Sequence, residues 1–333
     1  MQNLIDPAIL FFVFGVLAGA ARSNLEIPPA ISKFLSLYLL MALGLKGGFA
    51  LAKSGFGLSV LLSLGAAMAM AFIVPALGYA CLKSRIARYD AAAVAASYGS
   101  VSAVPFVTAM QFLESAGLNF GGHMAVAMVL MESPAIIMAV LLANALRHVP
   151  AHGQMMTAGN GTLALAPGGG TPVGKILHES FTDGAHLLLL GAMAVGFISG
   201  ESGKAVMQPF SGDLFKGMLA FFLLDMGLMV AKNFTDARKA SPVLVGYAII
   251  APWLHAGLAL SLAWLLSMPV ADAALLMVLS ASASYIVVPA VLRYAIPEAN
   301  PAIYFGLSLG VTFPMNLLIV IPAYTALAQF TLT

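Results

Sequence analysis

Apolar runs of bilayer-spanning length recur along the whole chain, and the charges, prolines and glycines collect between them. The runs lie near residues 7–21, 29–51, 56–82, 90–114, 120–146, 180–199, 209–231, 241–267, 272–296 and 301–329. A helix needs roughly 20 apolar residues to cross the hydrocarbon core, and in lipid every backbone polar group must be satisfied within the protein. The expected fold is therefore an all-α polytopic membrane protein with ten transmembrane helices. Composition agrees: 61% of the 333 residues are hydrophobic and 8% are charged, with mean hydropathy +0.98, whereas a soluble domain carries roughly 25% charged residues. Residues 1–8 hold no Lys or Arg, so the first run reads as a retained span rather than a signal peptide.

Several function classes drop out at this point. A net charge of +2 offers no basic face for nucleic acid, and one cysteine, Cys81, allows neither an internal disulfide nor a CxxC metal site. No HExxH, GxSxG or Walker pattern occurs, and a membrane aspartyl protease would need two facing mid-span aspartates where the chain has one. No enzymatic activity and no cofactor are expected.

The Gly-rich stretch 148–175 has no helical periodicity and divides the chain into a first five-helix repeat (1–147), a linker (148–178) and a second repeat (179–333). A shift of 182 lays Asp90 on Asp272, Ser100 on Ser282 and Ser102 on Ser284; a shift of 180 lays Glu132 on Thr312. An odd number of spans per repeat makes the second copy enter from the opposite side, an inverted pair. The 15 Lys and Arg fit that topology: with both termini outside, only Lys46, Lys53, Lys204 and Lys216 face outward and the remaining eleven lie at cytoplasmic ends.

Residues 92–109 and 275–292 each place Ser, Gly or Ala and a proline inside an apolar run. A broken helix survives in a bilayer only where it is buried or lines a cavity, so the fourth and ninth spans are expected to cross near the midplane at a substrate site. The N–H groups at the start of a half-helix suit an anion and the carbonyls at the end of one suit a cation. Ser97, Ser100, Ser102, Ser280, Ser282 and Ser284 add uncharged donors and acceptors, although serine also serves simply to let helices pack closely.

An ionisable group in mid-span is a functional-site hypothesis by default. Glu132 precedes Pro134, which frees a carbonyl beside it, and Thr312 and Asn316 offer further oxygens. A sodium site is therefore expected from Ser97, Glu132, Ser280, Thr312 and Asn316; a protonated Glu132 or a structural hydrogen bond are the alternatives. Asp225 is expected to cap or to pair, for instance with His255, itself read as a packing histidine.

The segments GSVSAVPFVTAMQFLE (99–114), MESPAI (131–136), FLLDMGL (222–228), APWLHAG (251–257), SASASYIVVPAVLRYAIPEANPAIY (280–304) and GVTFPMN (310–316) resemble the sodium-dependent bicarbonate permease family. The resemblance implies two inverted five-helix repeats, a core and a gate domain, a homotrimer in the bacterial inner membrane, and sodium-coupled uptake of bicarbonate. It also implies a PII-like cytosolic regulator, as in cyanobacterial members. The anion would contact Ser100, Val101, Ser102 and Ala103 at the first break and Ser282, Ser284, Tyr285 and Ile286 at the second, and Glu132 stands where those members have an aspartate. This chain departs from them: Ala103-Val104-Pro105 replaces Gly-Ser-Thr, and Tyr285-Ile286-Val287-Val288-Pro289 replaces Asp-Ile-Ser-Gly-Pro. The pocket is thus expected to be less polar, with the Tyr285 hydroxyl as a replacement donor. Two rival readings are a transporter of small organic carboxylates and a membrane receptor or scaffold that binds without translocating.

Overall fold

The structure, a computed structural model, describes residues 6–55, 57–147, 184–238, 241–285, 288, 292 and 296–333. The predicted linker 148–178 lies outside the described residues. The described residues are helical, without strands. They form α1 (Pro7–Ala20), α2 (Pro29–Ser54), α3 (Leu58–Leu82), α4 (Arg88–Gly99), α5 (Ala103–Ser115), α6 (His123–Arg147), α7 (Gly184–Gln208), α8 (Phe215–Arg238), α9 (Pro242–Leu265), α10 (Val270–Ser280) and α11 (Pro301–Leu332). Among the described residues, six helical stretches are long and apolar enough to cross a membrane; α1, α10 and the first part of α6 are shorter apolar helices.

Starts are set by local chemistry. The Asp6 carboxylate accepts the Ala8 N–H at 2.8 Å and the Asn300 amide oxygen accepts that of Ala302 at 3.0 Å, each just before a proline that fits the first turn of a helix. Two boundaries differ from expectation. The span placed at 209–231 begins only at Phe215; ahead of it α7 kinks at Gly200, whose φ of 55° a side chain rarely adopts, runs to Gln208 and widens into a π turn over Pro209–Asp213. The last span carries two further π turns, Ser308–Thr312 and Asn316–Val320.

The outer helices turn large apolar side chains outward, with Phe14 and Leu17 on α1, Leu58 and Leu61 on α3, and Leu254, Trp264 and Leu265 on α9 all exposed. Water would penalise such a surface, and lipid does not. Helices α4 and α10 are the reverse: every residue from Ala91 to Ser102 and from Ala271 to Tyr285 is buried. Alanine at Ala91, Ala92, Ala93, Ala95 and Ala96 lets neighbours approach α4 on all sides. Helix α3 covers α4 and α6, while α10 lies against α9, α5 and the C-terminal half of α11.

Two tight helix pairs complete the body. Helix α1 packs on α8 and α2 on α7. Both contacts rest on facing glycines: a β-carbon at Gly15 or Gly227, or at Gly48 or Gly196, would come within 3.0 Å of the opposing backbone.

Candidate functional site

The fourth span is interrupted where the chain says it should be. Helix α4 ends at Gly99, Ser100–Ser102 are extended, and α5 begins at Ala103 with no side-chain cap from Ser102. In the ninth, α10 stops at Ser280, Ala281 caps it, and residues 282–285 are no longer helical. Ile286 and most of the stretch after it lie outside the described residues.

The two interruptions are hydrogen-bonded to one another. The Ser102 N–H donates to the Ser282 hydroxyl at 3.0 Å, and the Ser284 N–H donates to the Ser97 carbonyl at 2.8 Å. Ser282 in turn donates to the Leu279 carbonyl at 2.8 Å. Each break thus satisfies a backbone donor that the other has released, which removes the main cost of unwinding a helix in a membrane.

Not all polar atoms at this crossing are satisfied. The hydroxyls of Ser97, Ser100 and Ser280 and the amide oxygen of Asn316 are buried and make no hydrogen bond. The Asn316 side chain is held near the second break by donating to the Ala281 carbonyl at 3.4 Å. Buried oxygens without donors are unfavourable alone, and a ligand that supplies positive charge or a donor would satisfy them.

Thr312 is tied elsewhere. Pro252 cannot donate to the Ala248 carbonyl four residues earlier, and the Thr312 hydroxyl fills that role at 3.1 Å while lying 2.6 Å from the Tyr98 hydroxyl. Its oxygen is therefore engaged by α4 and α9, and the π turn that ends on it explains how it reaches both.

A cavity of about 830 Å³ reaches the crossing from the ends of the helices that hold the α2, α5 and α7 N-termini. Val101, Ser102, Ala103, Glu132, Ser284 and Tyr285 line its depth, and Ser32, Lys33, Ser36 and Asp225 line it on the α2 and α8 side. Glu132 is buried, and so is Asp225. The expected pairing of Asp225 with His255 is corrected here: its partner is the Ser32 hydroxyl, which donates at 2.5 Å, because α8 lies against α2 rather than presenting that face to α9. His255 is buried, with Nδ1 unbonded. The Tyr285 hydroxyl is hydrogen-bonded with the Ser102 side chain and lies 3.8 Å from Met226 Sδ, and its ring stacks edge-on against Phe313.

Sequence reasoning missed the α2 and α8 contribution to this wall and the struts that hold the crossing. Asp272 accepts the Gly121 N–H at 2.6 Å and sits 3.6 Å from His123, and Asp90 accepts the Asn300 N–H at 2.8 Å. The alignment of Asp90 with Asp272 was the available signal. A second cavity, about 1180 Å³, opens at the opposite ends of α2, α5 and α7, lined by Lys46, Lys53, Lys204 and Lys216 with Glu114, Glu201 and Asp213.

Buried interrupted helices that complete each other's backbone bonding, inside a shell of lipid-facing helices, define an all-α membrane protein built around a midspan cavity. The Na+-dependent bicarbonate transporter superfamily matches residues 7–329, nearly the whole chain, and the protein belongs to that family. The family is one of transporters and not an enzyme class. No curated protein matches the chain.

Proposed function

We propose that this protein is a secondary active transporter that couples sodium entry to uptake of bicarbonate or another small anion by alternating access. The observation that carries the reading is the reciprocal bonding of the two breaks, Ser102 to Ser282 and Ser284 to Ser97, at the end of an accessible cavity. Sodium binds among Ser97, Ser280, Asn316 and Glu132, with Thr312 fixing the surrounding helices. Its charge lowers the cost of placing an anion at the uncapped start of α5, beside the hydroxyls of Ser102 and Ser284. Ser100, Val101, Ala103, Ser282 and Tyr285 complete the anion site among the described residues.

Ten spans in two inverted repeats are the architecture that supports this cycle. Exchanging the halves turns the α1–α8 pair into α7–α2, Gly15 and Gly227 into Gly196 and Gly48, and the Asp90–Asn300 strut into Asp272–Gly121. Such reciprocal packing favours a two-fold relation between repeats. We take both termini as outside, in the bacterial inner membrane, with the Lys33 end of the cavity cytoplasmic and the four-lysine cavity outside, and we carry over a trimer and a PII-like regulator as proposals from the resemblance to cyanobacterial members. The core bearing α4, α5 and α10 rocks against the α1–α8 and α2–α7 pairs to change which side reaches the site.

Radiolabelled bicarbonate uptake into proteoliposomes, with and without an inward sodium gradient, tests the coupling. Uptake driven by the gradient is expected; uptake of every small anion that ignores sodium would remove the claim. The variant Ser102→Ala with Ser284→Ala is expected to weaken anion affinity while the protein stays folded, and unchanged transport would discredit the site.

A further inference from the structure

The wall of the cavity is the wrong surface for a small hydrated anion. Between the Ser102 and Ser284 hydroxyls and the Lys33 end, it is formed chiefly by Val104, Val107, Met128, Phe222, Met226 and Met229. Bicarbonate carries three oxygens on one carbon and needs donors on every side once its water is stripped, since an unpaired polar group against hydrocarbon is costly. Here the Tyr285 hydroxyl is shared between the Ser102 hydroxyl and a methionine sulfur, and the apolar Ala103 and Val104 follow the serine of the first break. At about 830 Å³ the cavity lies within the range typical of organic-ligand sites, about 300–1,000 Å³. Its three methionines form an unbranched, polarisable lining that fits hydrocarbon of variable shape.

The polar groups at the deep end limit the charged part of such a ligand. Apart from Glu132, which the reading above gives to the sodium, they comprise the hydroxyls of Ser102, Ser284 and Tyr285 and the uncapped start of a 13-residue helix, and the one Lys or Arg among the described residues that line the cavity, Lys33, is exposed at the far end. Among the described residues no guanidinium fork faces the site, so the arrangement fits one planar, singly charged two-oxygen group and not a phosphate or a dicarboxylate. On the transporter reading above, on which this rests, we infer that the preferred cargo is a monocarboxylate with a compact hydrocarbon body. Its carboxylate lies at the crossing of the breaks, and its body lies along the valine and methionine wall.

Binding to the purified full chain in detergent, at fixed sodium, tests this by calorimetry with acetate, propionate, butyrate, pentanoate, bicarbonate and neutral butyramide. Affinity is expected to rise by about fourfold per added methylene until the wall is covered. Bicarbonate is expected to bind more weakly than butyrate, and butyramide not to compete. Val107→Thr, which keeps the side chain's shape, is expected to weaken pentanoate more than acetate, flattening the series. Sodium-dependent bicarbonate binding tighter than that of every acid, or a series with no dependence on chain length, would overturn the inference and leave sodium-coupled anion transport standing. Binding of all anions without regard to sodium would instead overturn the coupling on which the transporter reading depends.

Discussion

Ser282 and Thr312 carry buried hydrogen bonds that no local pattern announces. Ser282→Ala removes the acceptor of the Ser102 N–H inside a fully buried break, and an orphaned buried donor costs about 1–3 kcal/mol. Thermal unfolding in detergent is expected to shift downward accordingly. Thr312→Val keeps the shape but strands both the Tyr98 hydroxyl and the Ala248 carbonyl that Pro252 leaves unpaired, so it is expected to cost at least as much, with Thr312→Ser restoring stability. If Thr312→Val unfolds at the parent temperature, the hydroxyl has no such structural task. The serines and prolines of the breaks were legible because small polar residues inside an apolar run stand out. Their partners were not, because Ser102 and Ser282 are 180 residues apart and only helix packing brings them together.

Among the elements, α4 and α10 are anchored at their starts by carboxylates, and the two anchors differ in burial. Asp272 is buried with His123 beside it, whereas Asp90 is half-buried and its bond to Asn300 is exposed. Asp272→Ala is therefore expected to lower the unfolding temperature more than Asp90→Ala, since a stranded Gly121 N–H has less access to water. Equal losses would mean that burial does not distinguish the two struts. The glycine seams between α1 and α8 and between α2 and α7 leave no room for a side chain, and Gly227→Leu is expected to force the pair apart at a cost of about 1–3 kcal/mol, read by the same melt. Helix positions were largely readable from the apolar runs. The kink at Gly200 and the π turns were not, because one glycine at positive φ and a one-residue shift in hydrogen-bond register leave little trace in composition.

Across the whole molecule, two cavities at opposite helix ends are separated by the crossing and by one ion pair. Lys46 on α2 meets Glu114 at the end of α5 at 3.1 Å and lies over the Phe215 ring. In the proposed cycle this pair holds the moving core to the static helices on the side away from the 830 Å³ cavity. The pair is partly exposed and so contributes about 0.2–1 kcal/mol. Lys46→Gln is then expected to raise labelling of a cysteine at Val104, in a Cys81→Ser background, by up to about fivefold from the Lys46 side. Labelling that stays at the parent rate would show that the pair does not hold that side shut.

Apolar runs, their lengths and their charged borders fix an embedded helical chain, since the cost of exposing backbone to lipid depends on each segment alone. The two interruptions and the family are likewise written in local residue types. The bond between the breaks, the Ser32 partner of Asp225, the engagement of Thr312 and the apolar wall drawn from α2, α5, α6, α7 and α8 arise only when distant helices meet. Hydrogen bonds and cavity walls belong to pairs of surfaces, and a linear order of residues does not state which surfaces face.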